Sequence, residues 1–192
     1  MTRASTVAVL LLAPLVGGTA QEYVSAKRKL QQIEEQKAVP GSTVRLTSGE
    51  LNSYLEREAY RVEGVRAPRL ALSRGRAEGW LVVDFLKLKQ AKGERPNWLM
   101  SQLLEGEHPV YVRTRLESAA GQATVHVERV EINGVGIEGR PLDYLIRRYV
   151  RAYYPEAKVG EPFDLGYGIE QIDVAPEAVL VRIGGVQVAR QP

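Results

Sequence analysis

The chain has 192 residues, 44% hydrophobic and 26% charged, a balance that fits one folded globular domain and excludes a disordered chain. Its 26 Lys and Arg against 23 Asp and Glu give a net charge of +3 with both signs interspersed, too weak a bias for a nucleic-acid binder. The absence of cysteine excludes disulfides, thiolate metal sites, cysteine nucleophiles and a lipid-modified cysteine anchor.

Residues 1–20 read as a cleavable secretory leader. Arg3 supplies its positive start, Val7 to Val16 its apolar stretch, and Gly18-Thr19-Ala20 the small residues that signal peptidase requires, with cleavage expected after Ala20. The apolar stretch is roughly ten residues, about half of what a helix needs to cross a bilayer. From Gln21 to Ala38 the chain lacks Gly and Pro and spaces Tyr23, Ala26, Leu30 and Ile33 along one narrow stripe. That predicts an N-terminal amphipathic helix over 21–38, ended by Pro40-Gly41, and leaves 39–192 as a single α+β domain.

At Thr47-Ser48-Gly49-Glu50 a capping box starts a second helix, which Leu51, Tyr54 and Leu55 carry to about Ala59. The period then falls from 3.6 to 2. Leu70 and Leu72 precede the turn-forming run Arg74 to Gly79, and Trp80 to Lys89 reads as the return strand of a hairpin. In that strand Trp80, Val82, Leu86 and Leu88 share one face and Leu81, Val83 and Phe85 the other, so both faces are covered. The cover is a helix on one side and, on the other, either packed side chains or a bound apolar ligand.

Pro96 opens a short third helix through Trp98, Leu99, Gln102 and Leu103, stopped by Gly106. In the next hairpin Val110, Val112, Thr114 and Leu116 point inward, and Ala119-Ala120-Gly121-Gln122 turns the chain. On the return strand Val125 and Val127 have one parity and Val130 and Ile132 the other, which places a β-bulge near Glu128 or Arg129. Similar slips between Ile169 and Ile172 and between Ile183 and Val186 predict a strongly curled sheet. Pro141 opens a helix with Leu142, Leu145, Ile146, Tyr149, Val150 and Tyr153 on one face and Arg147, Arg148 and Arg151 opposite. A last hairpin joins 163–174 to 178–188 through Ala175-Pro176-Glu177. The expected fold is thus α+β: a curled antiparallel sheet of about six strands in three hairpins, each preceded by a helix, plus the N-terminal helix.

Catalytic motifs do not emerge. His108, in a loop before a proline, and His126, on a strand, are isolated and read as solvated side chains; no metal site is expected. The glycine-rich run from Gly134 to Gly139 lacks dinucleotide spacing and reads as a tight turn, and no cofactor is expected. Asp84, inside the most apolar strand, reads as an edge residue or the partner of a cross-strand arginine such as Arg113. No second carboxylate is placed to make it a catalytic acid.

Three segments resemble exported bacterial proteins of the LmeA-like phospholipid-binding and YpmS-like families. They are Leu46-Thr47-Ser48-Gly49-Glu50-Leu51-Asn52-Ser53-Tyr54-Leu55, Val130-Glu131-Ile132-Asn133-Gly134-Val135, and Arg140-Pro141-Leu142 at a helix start. The resemblance implies a curled antiparallel sheet wrapped round a helix, as in tubular lipid-binding folds, working in the cell envelope. This chain departs from that pattern in the spacer Ile137-Glu138-Gly139-Arg140.

The functional expectation is an exported, non-enzymatic protein of the periplasm or extracellular cell envelope that binds an apolar ligand, lipid above all, in a groove of the sheet. Trp80, Val82, Leu86, Val112, Val125, Leu145 and Tyr149 are the candidate lining residues. Arg147, Arg148 and Arg151 are the candidate contacts to lipid headgroups at a membrane surface or to a partner. The alternative is an envelope assembly module without a small ligand, whose 21–38 helix docks on a partner protein.

Overall fold

The computed structural model describes residues 19–91, 105–147 and 159–185. The leader, most of the helix expected from Pro96, the helix expected from Pro141 beyond Arg147, and the parity slip at Val186 lie outside them.

Helix α1 (Ala20–Glu34) starts from a capping box in which the Thr19 hydroxyl accepts the Glu22 amide and the Glu22 carboxylate accepts the Thr19 amide. It ends before Ala38 because Gln36 turns left-handed at φ 53. Its stripe is used inside the chain: Ala26 is fully buried and Ile33 nearly so. Strand β1 (Thr43–Thr47), unforeseen in the sequence, runs directly into α2 (Ser48–Ala59), whose Thr47–Glu50 capping box forms as expected.

Strands β2 (Val65–Ser73) and β3 (Arg76–Val83) form a hairpin whose turn is only Arg74-Gly75, so β3 starts earlier than the period suggested. It also ends earlier. Phe85–Ala91 is helix α3, not strand, because the Asp84 carboxylate accepts the Lys87 amide at 3.0 Å and caps a helical turn. Asp84 therefore does not pair with Arg113, which meets Glu78 at 3.1 Å instead, and Lys87 Nζ lies 3.5 Å from Asp84.

Strands β4 (His108–Ala119) and β5 (Gln122–Ile132) turn at Ala120 and Gly121, both at positive φ as a type I′ turn requires. Arg113 opposes Arg129 while Thr114 opposes Val127, so Glu128 is the extra residue of the expected bulge. Asn133-Gly134 makes a second such turn into the short β6 (Val135–Gly136), which pairs back on β5. Helix α4 (Gly139–Leu145) follows. Strands β7 (Phe163–Asp164), β8 (Ile169–Ala175) and β9 (Ala178–Ile183) complete the described chain; Ile169 faces Ile183 and Gln171 faces Arg182, leaving Glu170 as the second expected bulge.

The fold is α+β with a mostly antiparallel sheet of about six strands, as expected, and among the described residues it does not close into a barrel. The order β2-β3-β4-β5-β6, with β7 also on β5, makes the large sheet. The third hairpin leaves it: β8 and β9 join β1 in a separate sheet of order β1-β9-β8. Strand β8 crosses the hairpin tips of the large sheet, where Val174 O accepts the Gly75 amide, Glu170 O accepts the Gly121 amide, and Ser118 Oγ bonds both backbone groups of Ile172. Ile33, Leu46, Val181 and Ile183 form the core under α1 and the small sheet. Asn52 of α2 seals the β2 edge by bonding both the amide and the carbonyl of Leu70. One end of the large sheet is thereby closed, and its inner face runs on toward α3 and α4.

Candidate functional site

At that other end the inner face of the large sheet, α3 and α4 bound a cavity of about 330 Å³. Alternation along the strands selects its walls. Leu81 and Val83 come from β3, Val110 and Val112 from β4, and Val127, Val130 and Ile132 from β5 on either side of the Glu128 bulge. The bulge reverses the parity of β5, so valines of both registers face the same space. Val62 and Val65 close the β2 side, Phe85 and Leu88 come from α3, Leu142 and Leu145 from α4, and Ile146 from its C-cap. Among the described residues the fourteen lining side chains are all apolar, and Val83, Phe85 and Leu88 are the most deeply buried of them.

The position of α3 depends on Gly64, which has φ +85; a Cβ there would stand 2.6 Å from Asp84 O and 2.9 Å from Leu88 N. The Asp84 amide donates to Gly64 O at 2.7 Å, tying the start of α3 to the turn before β2.

The sequence-based candidates divide. Val112 and Leu145 line the cavity. Trp80 and Val82 do not: one residue out of phase with Leu81 and Val83, they face the opposite side of the sheet, with Pro109 and Tyr111 along a shallower depression. There Trp80 remains 40% exposed and its ring sits 5.4 Å from that of Tyr111. Leu86 is on α3 and outside the lining, a consequence of the strand ending at Val83. Val125 shares the inner face with Val127 but lies nearer the hairpin tip, outside the cavity. Arg147 is exposed just past α4, and Tyr149, Arg148 and Arg151 lie outside the described residues.

Sequence reasoning missed the α3 and β2 walls and the environment of His108. This residue is the first of β4, not a solvated loop side chain. Its ring packs 5.6 Å from Phe85, its Nδ1 is 2.9 Å from Asn133 Nδ2, and its Nε2 is buried with no partner among the described residues. His126 sits on β5 with Nε2 3.6 Å from the Glu117 carboxylate. Strand parity placed His108 in register with Val110, a signal available in the sequence once β4 is known to begin there.

The carboxylates with lowered pKa values lie outside the cavity lining. Glu50 is 6% exposed between α1 and α2, where it accepts from Ser25 at 2.5 Å, Lys29 at 2.6 Å and the Thr47 amide at 2.8 Å. Burial pushes its carboxyl up, but these three donors outweigh it and hold the pKa below the ordinary value. The amide and hydroxyl of Thr19 lower Glu22 likewise. On the outer sheet face Arg76 and then Arg115 lower Glu128.

No protein-family model matches the chain, and no curated protein matches it significantly.

Proposed function

We propose that this is an exported, non-enzymatic protein of the bacterial cell envelope that holds the alkyl part of a lipid in the cavity between the large sheet, α3 and α4. The observation that carries the reading is the lining: among the described residues, fourteen side chains from four strands, two helices and the segments beside them, without a polar one among them. The volume lies at the lower end of small-molecule sites. It suits one alkyl chain rather than a whole diacyl lipid. Each methylene moved from water into such a lining contributes about 0.8 kcal/mol before the costs of association.

Two further features support the reading. The leader read in residues 1–20 supports export to the envelope. The three segments that resemble LmeA-like and YpmS-like proteins support a lipid-handling fold. The partner-docking alternative loses its main support, because the apolar stripe of α1 is packed against its own chain.

Titration with the fluorescent apolar probe N-phenyl-1-naphthylamine tests the proposal. The wild-type protein binds one equivalent saturably, and Val112→Trp, which fills the cavity from β4, abolishes binding while leaving the far-ultraviolet circular dichroism unchanged. Equal binding by the two proteins would place the probe elsewhere and refute the site.

A further inference from the structure

We infer that His108 is the polar anchor of this cavity and that the ligand is an acyl amphiphile, an alkyl chain ending in a carboxylate or ester carbonyl oxygen. The inference rests on the apolar-ligand reading above and names the ligand class.

Four observations carry it. His108 lies two residues before Val110 on β4, so its side chain is on the cavity face, one step beyond the last lining residue of that strand. Its cross-strand partner Val83 and its ring neighbour Phe85 both line the cavity. Asn133, held in its turn by donating its amide to Pro109 O at 2.9 Å, presents Nδ2 to His108 Nδ1. With Nδ1 accepting, the neutral ring carries its proton on Nε2, and that N–H is the buried group without an acceptor. A buried donor left unpaired is a cost that proteins rarely accept without use.

An alkyl chain cannot satisfy this donor; an oxygen at its end can. Two cations in the depression beside Val65 are already engaged, Arg66 with Glu107 and Lys87 with Asp84. A single acceptor oxygen is what the unpaired Nε2–H calls for.

The test is displacement of bound N-phenyl-1-naphthylamine by dodecanoate, methyl dodecanoate and dodecyltrimethylammonium, three ligands with the same chain and different ends. The wild-type protein is expected to bind the carboxylate or the ester at least ~10-fold more tightly than the ammonium. Preference for the carboxylate identifies a free fatty acid, and equal preference for the ester an esterified acyl chain. His108→Phe keeps the probe and loses the preference; His108→Gln, which retains an N–H donor, keeps part of it. In the wild type, nitrogen-15 spectra show the Nε2–H tautomer, perturbed by dodecanoate and not by the ammonium. Probe binding without discrimination, or discrimination that survives in His108→Phe, overturns the inference and leaves the cavity standing. Failure of the wild type to bind the probe overturns the cavity reading and this inference with it.

Discussion

Single side chains join the elements of this fold. Glu50 closes the capping box of α2 and receives Ser25 and Lys29 from α1, so one carboxylate both starts a helix and fixes its neighbour. Glu50→Gln should cost about 2 kcal/mol in urea unfolding, tempered because Lys29 is one-third exposed. The sign with pH follows from the lowered pKa values of Glu22 and Glu50. Their contribution is complete above the unfolded carboxylate pKa of about 4.3 and disappears as pH falls through their lower native values. Wild-type stability should therefore fall steeply below about pH 4.5, and less steeply in Glu50→Gln. Asn52 does for the β2 edge what a neighbouring strand would do, and Asn52→Ala should cost about 1–3 kcal/mol by leaving Leu70 unpaired. Ala120, at φ 51 in a type I′ turn, takes the penalty of a left-handed non-glycine residue. Ala120→Asn should stabilise by about 0.5–1 kcal/mol, read as a higher urea midpoint with an unchanged slope.

Local chemistry of this kind was the legible part. The Thr47–Glu50 box and the Ala120-Gly121 turn depend on neighbours in sequence, and each formed where expected. His108 was not legible, since its burial comes from Phe85 and Asn133, on either side of it in the chain but far from it in sequence.

At the scale of elements, the apolar run after Trp80 held two structures in one pattern. Leu81 and Val83 alternate as a strand, whereas Phe85 and Leu88 are three apart and share a helical face; Asp84 marks the change by capping α3. Reading the run at period 2 throughout put Leu86 and Leu88 on a strand face and drew Trp80 and Val82 into the site. The bulge at Glu128 was legible because the apolar parity of β5 reverses across it. Strand β1 was not, because five residues with two apolar positions carry little signal until β9 is beside them. Gly64 sets where α3 stands against β2. Gly64→Ala meets both a disfavoured φ and the backbone of Asp84 and Leu88, and should destabilise by about 2 kcal/mol or more and weaken probe binding by moving Phe85 and Leu88.

The whole molecule divides its apolar surface between two tasks. Around Ile33, Leu46, Val181 and Ile183 the small sheet and α1 pack into a core that closes one end. Around Val83, Phe85 and Leu88 the large sheet, α3 and α4 instead leave a space whose walls, among the described residues, are apolar side chains. The helix-then-hairpin order was readable from periodicity for α2 before β2 and β3 and for α4 before β8 and β9, while the helix expected from Pro96 lies outside the described residues. The separation of β8 and β9 from the large sheet was not, because their pairing with β1 joins residues from opposite ends of the chain, and no local pattern records it.

Native mass spectrometry of the protein purified from a bacterial envelope, followed by organic extraction of what it carries, tests the central claim most directly. The account predicts a stoichiometric adduct that extracts as an acyl lipid and is missing from the Val112→Trp protein. A bare mass, persisting after incubation with envelope lipids, would contradict it.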